Sequence, residues 1–279
     1  MATVILTLKN KGDVIGDVSV ICLKRNVNIF SQHITFLYNF SIVKEVYPDL
    51  LKIAGITPVY KSGTKNMIDN YRPISNLPIL SKVFEKLTLI RLLSFVTRFH
   101  LLSDSQYGFR QGRSTTQAAI RLTSLINHAY NKKMFCACFF LDLKKAFDTV
   151  DHNILLMKLY NVGFRGPVYN YISLYLTNRR QFVQVGNFKS NEQYIAKGVP
   201  QGSLLGPLLF SLYINDIVFA VKAEVVLFAD DAAFVLSASS LPLLYDCINS
   251  LFCDLSNYLS MNKLIPNLTK SKLMFFFFT

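Results

Sequence analysis

Asp230 and Asp231 stand side by side in "VLFADDAAFVLSA" (226–238), an otherwise apolar run. Adjacent carboxylates repel, and burying either one without a partner is costly. A third carboxylate, Asp142, lies near the end of a second apolar run, "MFCACFFLDL" (134–143). If the strand ending on Asp142 pairs with the hairpin whose tip carries Asp230 and Asp231, the three carboxylates converge. An all-oxygen donor set suits Mg²⁺ or Mn²⁺. Two such ions about 3.5–4 Å apart stabilise the attacking and leaving oxygens of an in-line phosphoryl transfer. The plain alternative is a turn, because Asp is a common turn residue. Hairpin turns usually carry Gly or Asn, and "FADDAAF" has neither, which favours the metal reading.

The elements that must position these residues follow from hydrophobic period and cap chemistry. Residues 82–100 read as a helix, and a second helix starts after Ser114, a good N-cap, with Ala118, Leu122, Leu125 and Ala129 on one face. The segment 134–143 is an apolar strand. "RQFVQVGNFKSNEQYIAKG" (180–198) reads as two strands around a polar turn. Residues 202–221 form a helix, 223–238 a hairpin with the Asp pair at its tip, and 241–260 a helix with Leu244, Ile248, Leu251, Leu255 and Tyr258 at helical spacing. "KLMFFFFT" begins a further strand. Near the N-terminus, "DVSVICL" (17–23) looks strand-like. Between 62 and 78 lies a loop rich in Gly, Asn and Pro. The order implies an α+β fold, a mostly antiparallel sheet with helices on one face and strand ends left open for a ligand.

The 279 residues carry 30 Lys and Arg against 17 Asp and Glu, a net charge of +13 on a chain that is 51% hydrophobic. A core-rich chain this basic points to a polyanionic partner, with a generic basic surface as the bland alternative. The longest apolar run, "SLLGPLLFSLYI" (203–214), is too short to span a bilayer, which takes about 20 residues. No signal-peptide layout is present. Five cysteines without a CxxC pair fit reduced thiols in an intracellular protein, nuclear or cytoplasmic. Cys136 and Cys138, alternating on a strand, read as small core residues. There is no Ser-His-Asp or Cys-His arrangement and no Gly-rich P-loop. Asp148 or Asp151 reads as the cap of the helix that follows rather than as a catalyst.

Five blocks, in order, resemble the reverse transcriptase of non-LTR, LINE-like retrotransposons, most closely the jockey type. They are "PVYKSGTKNMIDNYRPISNLPILSKVFEKL", "LLSDSQYGFRQGRSTTQA", "FFLDLKKAFDTVDHNILLMKLYNVGF", "KGVPQGSLLGPLLFSLYINDI" and "LFADDAAF". The likeness implies a right-hand polymerase with fingers over 36–133 and palm over 134–279, fingers elements being interleaved around 150–195. Residues 1–35 stay unassigned. It implies an RNA-directed DNA polymerase that uses an RNA template, a DNA primer, dNTPs and Mg²⁺ or Mn²⁺, with no membrane partner. The oligomeric state stays open.

Carried over residue by residue, the resemblance makes Asp142, Asp230 and Asp231 the catalytic metal ligands. Phe147, five residues after Asp142, would stand under the sugar and reject a 2′-hydroxyl, although a core aromatic is the simpler reading from sequence alone. Gln201 would contact the incoming nucleotide and template, and Gly202 would let the backbone approach closely. Lys61, Lys65, Arg72 and Arg110 fall in the fingers blocks, with Arg72 suited to triphosphate oxygens. A solvated surface cation is the alternative for each. Lys270, in "NLTKSKLM", would protonate the pyrophosphate leaving group. Such elements also carry an endonuclease before the polymerase and a thumb after it. Neither is expected here, so the chain reads as fingers plus palm of a truncated copy. The alternative function is a catalytically inactive remnant that only binds nucleic acid.

Overall fold

The computed structural model describes residues 1–8 and 18–277. Nine strands run through the described residues: β1 (Ile53–Tyr60), β2 (Tyr71–Asn76), β3 (Phe135–Leu141), β4 (Arg179–Val185), β5 (Phe188–Lys189), β6 (Gln193–Ile195), β7 (Glu224–Phe228), β8 (Asp231–Ala238) and β9 (Lys272–Phe276). They form two sheets. One has the order β2-β1-β4-β5, with β6 also on β4, and contains one parallel pair, β1 with β4. The other is the antiparallel sheet β7-β8-β3-β9. The mixed α+β class is as expected. No helix among the described residues is long and apolar enough to cross a membrane.

The chain divides into two compact units. The first joins Met1–Arg98 to Leu156–Gly206, and the second joins Phe99–Leu155 to the stretch from Pro207 onward. This division departs from the one expected at 133/134. Residues 99–133 go with the second sheet because helix Thr115–Asn131 lays Ala118, Leu122, Leu125 and Ala129 against Cys136, Cys138, Val226, Ala233 and Val235. The apolar face of that helix was legible in sequence, but not the surface it would cover. Residues 1–35, left unassigned, contribute helices Ala2–Leu6, Val20–Arg25 and the start of Val27–Val43 to the first unit.

The strand-like "DVSVICL" is helical from Val20 onward, and Asp17 lies outside the described residues. Ser19 decides this locally: its hydroxyl accepts a hydrogen bond from Ile21 N at 3.2 Å, capping the helix and overriding the β-branched pattern. The Ser114 cap is present as expected, with Oγ accepting from Gln117 N at 3.2 Å.

Helices lie on both faces of the second sheet, not on one. Side chains alternate along a strand, so Cys136, Cys138 and Phe140 of β3 face helix Thr115–Asn131 while Phe139 points the other way. There Phe139 meets Phe252 of helix Leu241–Met261 edge-on, ring centroids 5.0 Å apart. Leu244, Ile248, Leu251, Leu255 and Tyr258 of that helix are buried, as their spacing predicts.

The first unit buries a polar cluster within its apolar core. Tyr38, Tyr47, Tyr171 and Tyr175 pack ring against ring, and Glu85 and Arg179 are each 1% exposed among them. Glu85 accepts from the Tyr175 hydroxyl and from Leu204 N, both at 2.7 Å. Arg179 donates to the Tyr175 carbonyl at 3.1 Å and stacks 4.7 Å from its ring.

Candidate active site

β3 and β8 bring the carboxylates together. Their register ends on Leu141 opposite Ala232, so one step further sets Asp142 opposite Asp231. By the period of two, both side chains share a face with Phe140 and Ala233. They line one cleft of about 360 Å³ beside Phe140, Val226 and Phe228, below Ala118 and Leu122 of helix Thr115–Asn131, with Lys270 on the same wall. Asp142 is half-buried and Asp231 exposed.

Asp230 departs from the expected arrangement. The hairpin turn falls on Ala229 and Asp230, so Asp231 is already the first residue of β8, paired with Phe228. Asp230 sits in the turn, half-buried, and is not among the residues lining the cleft. Among the described residues no group of three His, Cys, Asp or Glu side chains is placed to hold a metal ion. Strand alternation puts Asp231 on the cleft face, whereas Asp230 lies in the turn just outside the strand.

The turn itself is tightly held. Ala229 takes φ +60, a left-handed conformation that costs a residue with a Cβ. Segment 105–107 adds to the edge of β7, with Tyr107 N on Leu227 O and Leu227 N on Ser105 O, each at 2.8 Å. This brings the fully buried Gln106 under the turn, where its Oε1 accepts from Gly108 N at 2.8 Å and Ala229 N at 3.3 Å. A Cβ on Gly108 would stand 2.1 Å from Ala229 N, so only glycine permits the approach. Sequence reasoning missed both residues. The isolated Gly in "QYGFR" was the available signal, since such a Gly marks close backbone approach.

Asp142 is fixed by the stretch Asn267–Ser271. Its carboxylate accepts from Asn267 Nδ2 at 2.7 Å, its carbonyl from Asn267 N at 2.8 Å, and its backbone N–H donates to Ser271 Oγ at 3.1 Å. Phe147, half-buried, stacks on Phe210 with centroids 4.8 Å apart and meets Phe109 edge-on at 6.2 Å. Asp151 caps helix His152–Asn161 by accepting from Asn153 N and Ile154 N, as its position suggests. A hydrogen bond from Lys263 holds its carboxyl below the ordinary range. Burial pushes the Asp148 carboxyl up.

Of the expected cations, Arg110 belongs to the second unit rather than to the segment that carries Lys61, Lys65 and Arg72. It is tied to its own loop, donating to Ser103 O at 2.8 Å and Asp104 Oδ1 at 3.2 Å. Lys61, Lys65 and Arg72 are exposed on or beside the β1–β2 hairpin, where Lys65 stands 6.0 Å from the Tyr60 ring. In the same unit, the Gln201 carbonyl accepts from Ser75 N at 2.7 Å, and Gly202, at φ +111, leaves no room for a Cβ against Ser75 O.

The family profile described as reverse transcriptase (RNA-dependent DNA polymerase) matches residues 60–275. The chain belongs to the reverse transcriptase family. Among similar proteins is the "Probable RNA-directed DNA polymerase from transposon BS" of Drosophila melanogaster, 35% identical over 82% of this chain and 25% of that protein. The polymerase from the X-element of the same fly is 35% identical over 78% of this chain and 24% of its own length. That from the mobile element jockey is 34% identical over 75% and 24%. The chain thus spans about a quarter of the curated relatives it matches. In fold it is similar to the apo telomerase of Candida tropicalis truncated from the C-terminal domain, with a TM-score of 0.60, 13% identity and coverage of 88% of this chain and 55% of that one. The resemblance to transposon reverse transcriptases therefore holds.

Proposed function

We propose that this chain carries the polymerase site of a retrotransposon reverse transcriptase, adding dNTPs to a primer 3′ end opposite an RNA template. The observation that carries this reading is the cleft at the open end of β3 and β8, where Asp142 and Asp231 face each other near Lys270 in a chain of this family. Mg²⁺ typically binds through one or two carboxylates, completing its shell with substrate phosphates and water, and two hard oxygen donors on one wall fit that habit. Asp142 and Asp231 would hold the ion, and Asp230 beside them would add negative charge to the rim. When bound, Mg²⁺ would neutralise charge developing on the transferred phosphoryl oxygens.

The chain's own residues do the rest. Lys270 donates a proton to the departing pyrophosphate. The Phe147 ring excludes a 2′-hydroxyl, which selects deoxynucleotides. Arg72, with Lys61 and Lys65, binds triphosphate oxygens, Arg72 by its planar fork. The backbone around Gln201 and Gly202 approaches the incoming nucleotide and template. The net charge of +13 supports a nucleic-acid partner.

Primer extension on an RNA template tests the reading. Extension should require Mg²⁺ or Mn²⁺ and fall to background in Asp142→Asn and in Asp231→Asn. A second reading, nucleic-acid binding without catalysis, is favoured by one observation: among the described residues no three carboxylates are placed to hold a metal ion. Under it, no extension occurs at all, while RNA–DNA duplex binding persists and weakens linearly on a log–log salt plot.

A further inference from the structure

The stretch Asn267–Ser271 reaches both Asp142 and Lys270, and one residue accounts for most of that reach. The Asn267 side chain donates Nδ2–H to Asp142 Oδ2 at 2.7 Å, while its Oδ1 accepts from the Thr269 hydroxyl at 2.8 Å. Both ends of the carboxamide are therefore in use, which fixes its plane and prevents it from swinging away from the carboxylate. The Asn267 backbone N–H binds Asp142 O at 2.8 Å. Its carbonyl accepts from Lys270 N at 3.1 Å, Ser271 N at 2.9 Å and Ser271 Oγ at 3.0 Å, making the tight turn that sets Lys270 on the rim. Ser271 Oγ then closes the circuit by accepting from Asp142 N at 3.1 Å.

We propose that Asn267 is a positioning residue of the polymerase site, aiming one oxygen of Asp142 and holding Lys270 over the same cleft. The inference rests on the polymerase reading above. Ligating carboxylates are commonly oriented by a hydrogen bond to the oxygen that does not bind metal, and losing that partner typically lowers metal affinity or activity roughly 10–100-fold. Asn267 Nδ2 occupies Asp142 Oδ2 in this way and leaves Oδ1 for a ligand. The side chain acts on Asp142, and the backbone acts on Lys270, so substitutions at this position separate the two effects.

Asn267→Ala removes the carboxamide but keeps every backbone bond, so the turn that carries Lys270 persists. The full chain is assayed with Mn²⁺ as the probe, following free Mn²⁺ by electron paramagnetic resonance, with Asp142→Asn as the reference for a lost ligand. The expected result is Mn²⁺ binding about 10–100-fold weaker than in the unaltered chain, an equal fall in kcat for primer extension and a dNTP KM within about two-fold. Asn267→Gln, which keeps an amide donor on a longer arm, should recover part of both losses. A merely structural role would lower the melting temperature and the active fraction without moving the Mn²⁺ affinity of the folded chain. Unaltered Mn²⁺ binding in Asn267→Ala, beside clear loss in Asp142→Asn, overturns the positioning role and leaves the polymerase reading intact. Absence of both Mn²⁺ binding and extension in the unaltered chain removes the polymerase reading, and the positioning role with it.

Discussion

Glu85 and Arg179 of the first unit are each 1% exposed, whereas the carboxylates proposed for chemistry in the second, Asp142, Asp230 and Asp231, are half-buried or exposed. Burial pushes the Glu85 carboxyl above its ordinary value, against the pull of its hydrogen bonds from Leu204 and Tyr175 and of the Arg179 charge. A carboxylate perturbed in this way is often taken for a catalytic acid. Here it ties a loop backbone to a helix side chain: it receives Leu204 N, next to Ser203 in "PQGSLL", and the Tyr175 hydroxyl of helix Gly166–Leu176. The second unit shows the opposite arrangement. Around β3 its core is apolar, with Cys136, Ala137, Cys138 and Phe234 at most 1% exposed, it buries no Asp, Glu, Lys or Arg among its described residues, and the carboxylates proposed for chemistry stand at the open end of the sheet. A buried acid thus marks a joint in one unit, while strand ends mark the candidate chemistry in the other.

The sharpest way to break this contrast is Arg179→Met. At a pH where Glu85 is ionised, removing the Arg179 charge that favours the ionised form leaves an unmatched buried carboxylate and should cost about 3–5 kcal/mol in urea denaturation. Adding Glu85→Gln should return part of that loss; an unchanged midpoint in Arg179→Met would mean that the two side chains are not coupled. In the second unit the matching test is Gly108→Ala. A Cβ placed 2.1 Å from Ala229 N forces backbone apart, and a loss of roughly 2–3 kcal/mol is expected, together with lower extension activity as the Asp230 turn shifts.

Phe147→Ala should cost about 2 kcal/mol, less than a fully buried ring, because Phe147 is only half-buried where it stacks on Phe210. If it also selects the sugar, the ratio of dNTP to rNTP kcat/KM falls. A lower melting temperature with an unchanged ratio would leave Phe147 as packing alone.

The smallest effect is a slope. With its folded pKa raised above the unfolded value, Glu85 retains a proton in the native state that the unfolded chain releases. The first unit should therefore lose stability as pH rises above about 4.5, by at most about 1.4 kcal/mol per pH unit, until the folded carboxyl ionises. Glu85→Gln should flatten that slope in denaturation midpoints measured across pH 4–8.

Much of this architecture was written locally. Helix Thr115–Asn131 followed from the Ser114 cap and an apolar period, and β3, β8 and β9 from runs of apolar residues. The convergence of Asp142 with Asp231 was legible because strand ends are set by where apolar runs stop. The separation of Asp230 was not, since it depends on Ala229 taking a left-handed conformation. That conformation is held by Gln106 and Gly108, more than a hundred residues away in sequence. The parallel pairing of β1 with β4 and the burial of Arg179 likewise come from partners that no local pattern names. Asn267 was hidden for a different reason: an Asn in a polar stretch looks like turn chemistry until its amide is seen on Asp142.

The discontinuous second unit also has a consequence during synthesis. β3 lies between β8 and β9, so both edges of its "FCACFFL" ladder wait for strands encoded much later. A ribosome adding about 5–20 residues per second needs roughly 5–20 s to travel from the end of β3 to the start of β8, and longer to reach β9. Helix Thr115–Asn131, made just before β3, can shield one face in that interval. The face where Phe139 will meet Phe252 stays uncovered, so the yield of folded protein should depend on translation speed and on chaperones that mask an apolar strand.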